Sequence, residues 1–381
     1  MEKSKNINNI SLGIIVDAKE DKDFYNFVTN LINELSKDLN ETLPAFEWQF
    51  KLIKRKDFIR ESPADPVQLL DYASSLKLEY NLDFVLLFTS LPLKPRFNQF
   101  TNAVPSNMLE TAIISFARFF ESRSSDSFQP AIALIKHNLG HLWGLDHSEN
   151  SVMKPWNVWT EESLTQWNSF EKEHIIHYLQ KIADPRLEEK SDTKSKKLLF
   201  YLQFLKNEGF GMLRDIIIFR SWLTIIYLSK FIAAIVISTI FLFLTAEFWE
   251  MGAAIKTGWL YSCIIFALLG STLSLYFGQN LNKIARSDKL KEQAVRSKFV
   301  IFGTLLIGIS ALWLLLFFIS YFIISIFPEK VLINWSGISG HLPVTHFALL
   351  ISTLGILISA FGGNLEEEDD LKAILFYTEE T

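Results

Sequence analysis

The chain has little cysteine, no excess of basic charge and long stretches with no charge at all. Cys263 is the single cysteine in 381 residues, so no intrachain disulfide can form and a disulfide-stapled scaffold is excluded. Lys and Arg number 37 against 42 Asp and Glu, a net charge of −5, which carries no nucleic-acid signature. The sequence contains no phosphate-binding glycine loop, no Ser-His-Asp elbow and no internal repeat. With 11 Pro and 16 Gly it is neither collagen-like nor of low complexity, and a hydrophobic content of 49% excludes disorder. That 49% averages two unlike parts. Most of the charge lies before residue 221, and most of the unbroken apolar sequence lies after it.

Residues 1–190 alternate between strand and helix patterns. The apolar stretch near the start is about seven residues long and runs into acidic sequence, so it reads as a first β-strand and not as a secretory signal. Residues 21–39 have helical spacing (Phe24, Phe27, Val28, Leu31, Ile32, Leu35), and residues 46–53 alternate as a strand does. Residues 65–80 read as a helix behind a proline, and residues 82–89 (LDFVLLFT) as a strand buried on both faces. A Pro- and Asn-rich loop leads to a further apolar segment, IISFARFF. This order predicts a three-layer α/β domain.

Residues 185–197 (PRLEEKSDTKSKK) read as a polar linker, and residues 198–218 as an amphipathic stretch that suits either a membrane surface or a packed connector helix. Four apolar runs follow, at residues 223–246, 258–277, 299–327 and 342–362. The first contains only Lys230, and the other three contain no Asp, Glu, Lys or Arg. Each reaches the roughly 20 residues that a membrane-spanning helix needs. The predicted organisation is a domain at 1–185, a linker and amphipathic segment at 186–221, a four-helix transmembrane bundle at 222–363, and an acidic tail at 364–381. Basic residues gather before the first run (Lys194, Lys196, Lys197, Lys206, Arg214, Arg220). They gather again between the second and third runs (Lys283, Arg286, Lys289, Lys291, Arg296, Lys298). The opposite loops carry only Lys256 and Lys330. By the positive-inside rule this predicts a multi-pass membrane protein with its first domain and both termini in the cytoplasm. Glu366, Glu367, Glu368, Asp369 and Asp370 read as a solvated acidic end.

The chemistry concentrates at residues 131–156, AIALIKHNLGHLWGLDHSENSVMKPW. His137 and His141 are spaced i, i+4, so on a helix both imidazoles leave one face and can share one ion. Gly144 is placed to end that helix in a left-handed conformation, and the turn would return His147 toward the pair. Three neutral imidazoles with an open fourth position are the ligand set of a catalytic zinc ion. Composition alone would produce this spacing with a probability on the order of 10⁻⁴.

HNLGHLWGLDHS resembles the metzincin signature H-E-x-x-H-x-x-G-x-x-H, most closely in its matrixin form. Over residues 10–182 a cytoplasmic domain of this kind also resembles archaemetzincins, although their cysteines near the third ligand are absent. The resemblance implies a mixed-sheet α/β zinc domain with Zn2+ held by His137, His141 and His147. It also implies a Met-turn at Ser151-Val152-Met153 with Met153 beneath the metal, and that IISFARFF is the edge strand that binds substrate. The family's glutamate, the general base, is Asn138 here. An amide cannot accept the proton of a metal-bound water at neutral pH. Asp146 matches the family's own residue before the third ligand, and Glu149 reads as a turn residue; either is a candidate substitute base.

His174 and His177 fall on a predicted helix after the Met-turn, and His341 and His346 flank the start of the last apolar run. Trp143, Trp156, Trp159 and Trp167 cluster around the motif as core or groove-lining residues. Three functions remain open: a membrane-anchored zinc metallopeptidase, an inactive pseudopeptidase that binds a peptide or protein partner, and a channel or transporter with a regulatory zinc domain. The uncharged runs argue against the third, because intramembrane pathways use ionisable residues. The expected partners are a peptide or protein in the cytoplasm or at the membrane surface, and the lipid bilayer itself.

Overall fold

The computed structural model describes residues 8–118, 128–155, 166–183, 197–218, 223, 226, 228–284, 292–338, 342–363, 368–376 and 379–380. Trp156, Trp159, His341, Arg286, Lys289, Lys291, Glu366, Glu367 and nearly all of the polar linker lie outside them. The chain divides into two compact units. The first comprises Met1–Tyr201, Ile284–Ser297 and Phe376–Thr381; the second comprises Leu202–Lys283 and Lys298–Leu375.

The first unit is built on strands β1 (Asn8–Asp17), β2 (Phe46–Arg55), β3 (Phe84–Thr89), β4 (Ala103–Ser106) and β5 (Thr111–Ser115). They form one mixed sheet in the order β2-β1-β3-β5-β4, parallel except for β4, which runs antiparallel to β5. Ile10, Leu12, Ile14 and Val16 alternate onto one face with Phe84, Leu86, Phe88, Ala112 and Ile114, where they meet the apolar faces of α1 (Lys22–Thr42), α3 (Phe128–Leu142) and α4 (Ser169–Ile182). Helix α2 (Pro66–Tyr80) packs on β3 and β5 from the other side. The result is a mixed α/β sheet with helices on both faces.

The helix starts follow local rules. The Asp21 side chain accepts from the Phe24 amide at 2.7 Å. Asp65 caps α2 ahead of Pro66 at its first turn, and α2 ends on Asn81 with φ +58°, a conformation that Asn tolerates better than most residues.

One expectation is corrected. IISFARFF does not supply the edge strand, because Thr111–Ser115 is β5, wholly buried between β3 and β4. The edge on that side of the sheet is β4, hidden within the stretch that reads as a loop. It is four residues long and contains Pro105, whose missing N–H is tolerated at a sheet edge.

The second unit is helical. It includes α6 (Ser229–Leu244), α7 (Ala246–Ala254), α8 (Thr257–Gly278), α10 (Glu329–Ser336) and α11 (Val344–Gly363). To it also belong most of α5 (Lys197–Ile218), α9 (Glu292–Ile326) and α12 (Glu368–Phe376). Two helices, α8 and α9, are long and apolar enough to cross a membrane, and α6 with α7 makes a third candidate bent by 81°. The apolar part of α11, Val344–Ala360, is shorter. Helix α11 packs on α6 and α8. A Cβ at Gly362 would collide with Ala234, so glycine permits that close helix–helix approach. Phe204 of α5 stacks on Phe299 of α9 at 5.9 Å, while Leu205 and Leu213 stay exposed. The amphipathic stretch is therefore a packed connector on one side and an apolar surface on the other.

Candidate metal centre

Helix α3 carries His137, Asn138 and His141 on its last turns, all but His141 fully buried. Its end is a Schellman turn. The Gly144 amide donates to the His141 carbonyl at 3.1 Å and the Leu145 amide to the Gly140 carbonyl at 2.9 Å, with Gly144 at φ +81°, where glycine alone is unstrained. The Asn107 side chain donates to the Leu142 carbonyl at 2.8 Å, covering a further carbonyl at the helix end. This turn brings His147 back beside the pair, with His141 Nε2 3.0 Å from His137 Nε2 and 3.2 Å from His147 Nε2.

The other ring nitrogens fix what these Nε2 atoms are. Nδ1 of His137 donates to the Val152 carbonyl at 2.8 Å, and Nδ1 of His141 to the Leu145 carbonyl at 3.0 Å. A neutral imidazole that donates through Nδ1 presents a bare lone pair at Nε2. Such lone pairs facing one another at 3 Å repel unless a cation lies between them, and a backbone carbonyl behind the ring is the usual support of a metal-ligating histidine. Burial pushes the pKa of His137 down, against the raising effect of Glu380, which favours the neutral, ligating form.

The Ser148–Met153 turn seats the site from below. The Ser148 amide donates to the Met153 carbonyl at 3.0 Å, and the Ser151 hydroxyl receives the Met153 amide at 3.1 Å. Ser151 in turn donates to Glu171 at 2.7 Å. The second oxygen of Glu171 accepts from the Asn168 amide at 2.9 Å in the capping box of α4. One carboxylate thus joins a helix start to the turn whose Val152 carbonyl orients His137. Met153 is fully buried and lies against Gly140, where any Cβ would strike its sulfur. Trp143 and Trp167 are core residues, with ring centroids 5.4 Å apart.

Glu380 completes the cluster and was missed by sequence reasoning. Its Oε2 lies 3.3 Å from His137 Nε2 and 3.4 Å from His147 Nε2, and its Oε1 lies 3.3 Å from His141 Nε2. Metal–ligand bonds of about 2.0–2.1 Å in a tetrahedron imply ligand–ligand edges of about 3.3 Å. The distances from Glu380 match that edge, and the two short His–His edges are near it, so the residues present fit a tetrahedral zinc ion. Among the described residues, these four form the one group able to hold a metal. Burial alone would raise the Glu380 carboxyl, but the rings of His137, His141 and His147 beside it hold it well below the usual carboxylate range. The acidic end expected to be solvated is in this respect buried, because the Glu380 charge has three imidazoles to meet.

Asn138 does not face the cluster with its donor. Its Nδ2 donates to the Leu134 carbonyl of its own helix at 2.8 Å, and its Oδ1 is buried without a hydrogen-bond partner. Asp146 and Glu149 are exposed and outside the ligand group. His174 and His177 are exposed on α4, and His346 bonds the Gly252 carbonyl at 3.1 Å within the second unit.

No protein-family model and no curated protein matches the chain. Solved structures that it resembles include the archaemetzincin of Methanopyrus kandleri, at 18% identity and a TM-score of 0.37, covering 45% of this chain and 97% of that one. Another is the archaemetzincin of Archaeoglobus fulgidus complexed with malonate, at 12% identity and a TM-score of 0.35, covering 43% and 99%. A third is a zinc-dependent peptidase from Methanocorpusculum labreanum, at 17% identity and a TM-score of 0.32, covering 43% and 99%.

Proposed function

We propose that the first unit is a metzincin-like zinc domain that recognises a peptide without cleaving it, carried on membrane-spanning helices. The observation that supports this reading is a displaced carboxylate. At the position of the family's general base stands Asn138, whose amide is committed to the Leu134 carbonyl, while Glu380 sits at ligand distance from all three imidazoles. A base acting through a bound water would lie one water farther from the histidines. Glu380 at an edge of about 3.3 Å has the geometry of a fourth ligand.

Zinc bound there would lower the pKa of a coordinated water toward about 7 and polarise a peptide carbonyl. The protein's own groups then determine the outcome. His137, His141 and His147 would hold the ion, Glu380 would fill the position a water needs, and Asn138 accepts no proton. Absence of the general base alone costs a factor of about 10²–10⁴.

The test is zinc content and peptide cleavage on the full chain in detergent. The native sequence is expected to hold about one zinc per chain, as the single four-ligand cluster among the described residues implies, and to leave peptides intact. Asn138→Glu combined with Glu380→Ala should raise hydrolysis by at least about 10²-fold. If the native chain cleaves peptides and His141→Ala abolishes that activity, the domain is a working peptidase. If it holds no zinc, both readings fail.

The second unit is read as four membrane spans with the first unit cytoplasmic. The lengths and composition of α8, α9 and the α6–α7 pair support a membrane location, and the basic loops support the orientation. Protease protection of the first unit in sealed, inside-in vesicles is the expected result, and digestion from outside would reverse the topology. Helix α8 has no ionisable Asp, Glu, Lys or Arg, which favours an anchor over an ion pathway.

A further inference from the structure

Glu380 does not reach the histidines as a lone side chain, because its backbone is paired to the sheet. The Glu380 amide donates to the Ala103 carbonyl at 2.9 Å, and the Glu380 carbonyl accepts from Asn102 at 2.8 Å and Ala103 at 3.2 Å. Together these form an antiparallel bridge on the open side of β4, as when an extended peptide adds itself to a sheet edge. The preceding residue has a seat of its own. The Glu379 carboxylate accepts from three successive backbone amides, those of Arg96 at 2.5 Å, Phe97 at 3.0 Å and Asn98 at 2.9 Å. The Asn98 side chain adds a bond to the Glu379 carbonyl at 3.2 Å. Consecutive amides pointing into one concavity make an anion-binding nest. It is stiffened from behind, where the Arg96 guanidinium pairs with Asp65 at 2.9 Å. Glu379 and Glu380 are both buried.

We propose that the open edge of β4 is a binding site for an extended acidic peptide bearing two consecutive glutamates, and that Glu379–Glu380 of this chain is its resident occupant. The first carboxylate is read by the amide nest of Arg96, Phe97 and Asn98. The second is read by the three-histidine centre, and this half alone rests on the zinc reading above. Between them, the β4 backbone fixes direction and register. Uncharged isosteres fail both halves, since a glutamine presents only one acceptor oxygen and no charge to the nest. Held in cis, the resident pair competes at a high effective concentration against any outside peptide.

The experiment uses the full chain in detergent and a fluorescent synthetic peptide, FYTEET, of residues 376–381. The chain carrying Glu379→Ala and Glu380→Ala is expected to bind this peptide at least about tenfold more tightly than the native chain, and to ignore the FYTQQT analogue. Equal binding by native and substituted chains would overturn the resident role. Equal binding of both peptides would overturn the acidic specificity. Amide exchange guards against a misfolded variant: in the native chain Asn102 and Ala103 should be protected, and in the variant those two should exchange faster while β1 and β3 do not change. If they were unprotected in the native chain, the β4 edge would have no occupant. Zinc analysis of the same samples separates the two proposals. Peptide binding without bound metal removes the zinc function but leaves the nest, whereas full zinc occupancy with no peptide binding removes this inference alone.

Discussion

Among the described residues, the first unit leaves only Phe97 and Phe170 exposed as large apolar side chains, whereas the second exposes them along α5, α6, α8 and α9. In the first, a central sheet and its helices draw Phe, Leu and Ile inward, and polar groups serve turns, caps and the metal centre. In the second, Trp249, Phe231 and Phe347 are buried as well, and small and hydroxylated residues join them inside. Ser271 and Thr272 of α8 and Ser352 and Ser359 of α11 are fully buried, while Phe241, Phe266 and Phe322 face out. An outer surface of that composition is stable against lipid or another apolar surface, not against water. The two units thus differ less in what they bury than in the large apolar side chains that the second leaves exposed.

The sharpest way to break this comparison is to remove what only one unit has. Chelating zinc from the full chain should destabilise the first unit and leave the helicity of the second unchanged. At free zinc a thousandfold above its Kd, the ion contributes about 4 kcal/mol. Circular dichroism in detergent with and without chelator reads this, and a concerted collapse of both units would refute the separation. Next comes one substitution made twice. Phe88→Ala, at a fully buried strand position, should cost about 3–5 kcal/mol, and Phe241→Ala, at 65% exposure, no more than about 0.5 kcal/mol. Denaturant unfolding of each variant checks the contrast.

A charge sharpens the difference in solvent. Phe241→Lys should cost about 2.5–3.5 kcal/mol in a membrane-insertion assay, whereas Phe97→Lys should change stability by no more than about 0.5 kcal/mol. Among the destabilising changes the smallest loss is expected from Ser151→Ala, which strands one oxygen of Glu171 and the Met153 amide. It should cost about 1–2 kcal/mol and weaken zinc retention, read by competition with a chromogenic chelator.

Much of the fold was legible because it is local. Periodicity set out β1, α1, β2, α2 and β3, and the i, i+4 histidines with Gly144 outlined the centre, since helix pitch and a left-handed turn are properties of short sequence. Strand β4 was not legible. Four residues with a proline have no period to detect, and their pairing is with β5. Glu379 and Glu380 were not legible either. A glutamate pair carries the same signal whether solvated or seated, and what distinguishes them is three backbone amides and three imidazoles far away in the sequence. A charge-based reading assigns such residues to solvent by default, and it errs where tertiary structure supplies the partners.

The four residues of the candidate metal centre are also spread unequally in time. His137, His141 and His147 come from one helix and the turn after it, but Glu380 lies 243 positions beyond His137. At a synthesis rate of about 5–20 residues per second, the histidines emerge on the order of 10–50 seconds before the carboxylate. A newly made first unit therefore passes through a period with three imidazoles in place and a fourth vertex open to water, buffer anions or another chain. Its chemistry when young differs from its chemistry when complete, and the last-made ligand ends that period.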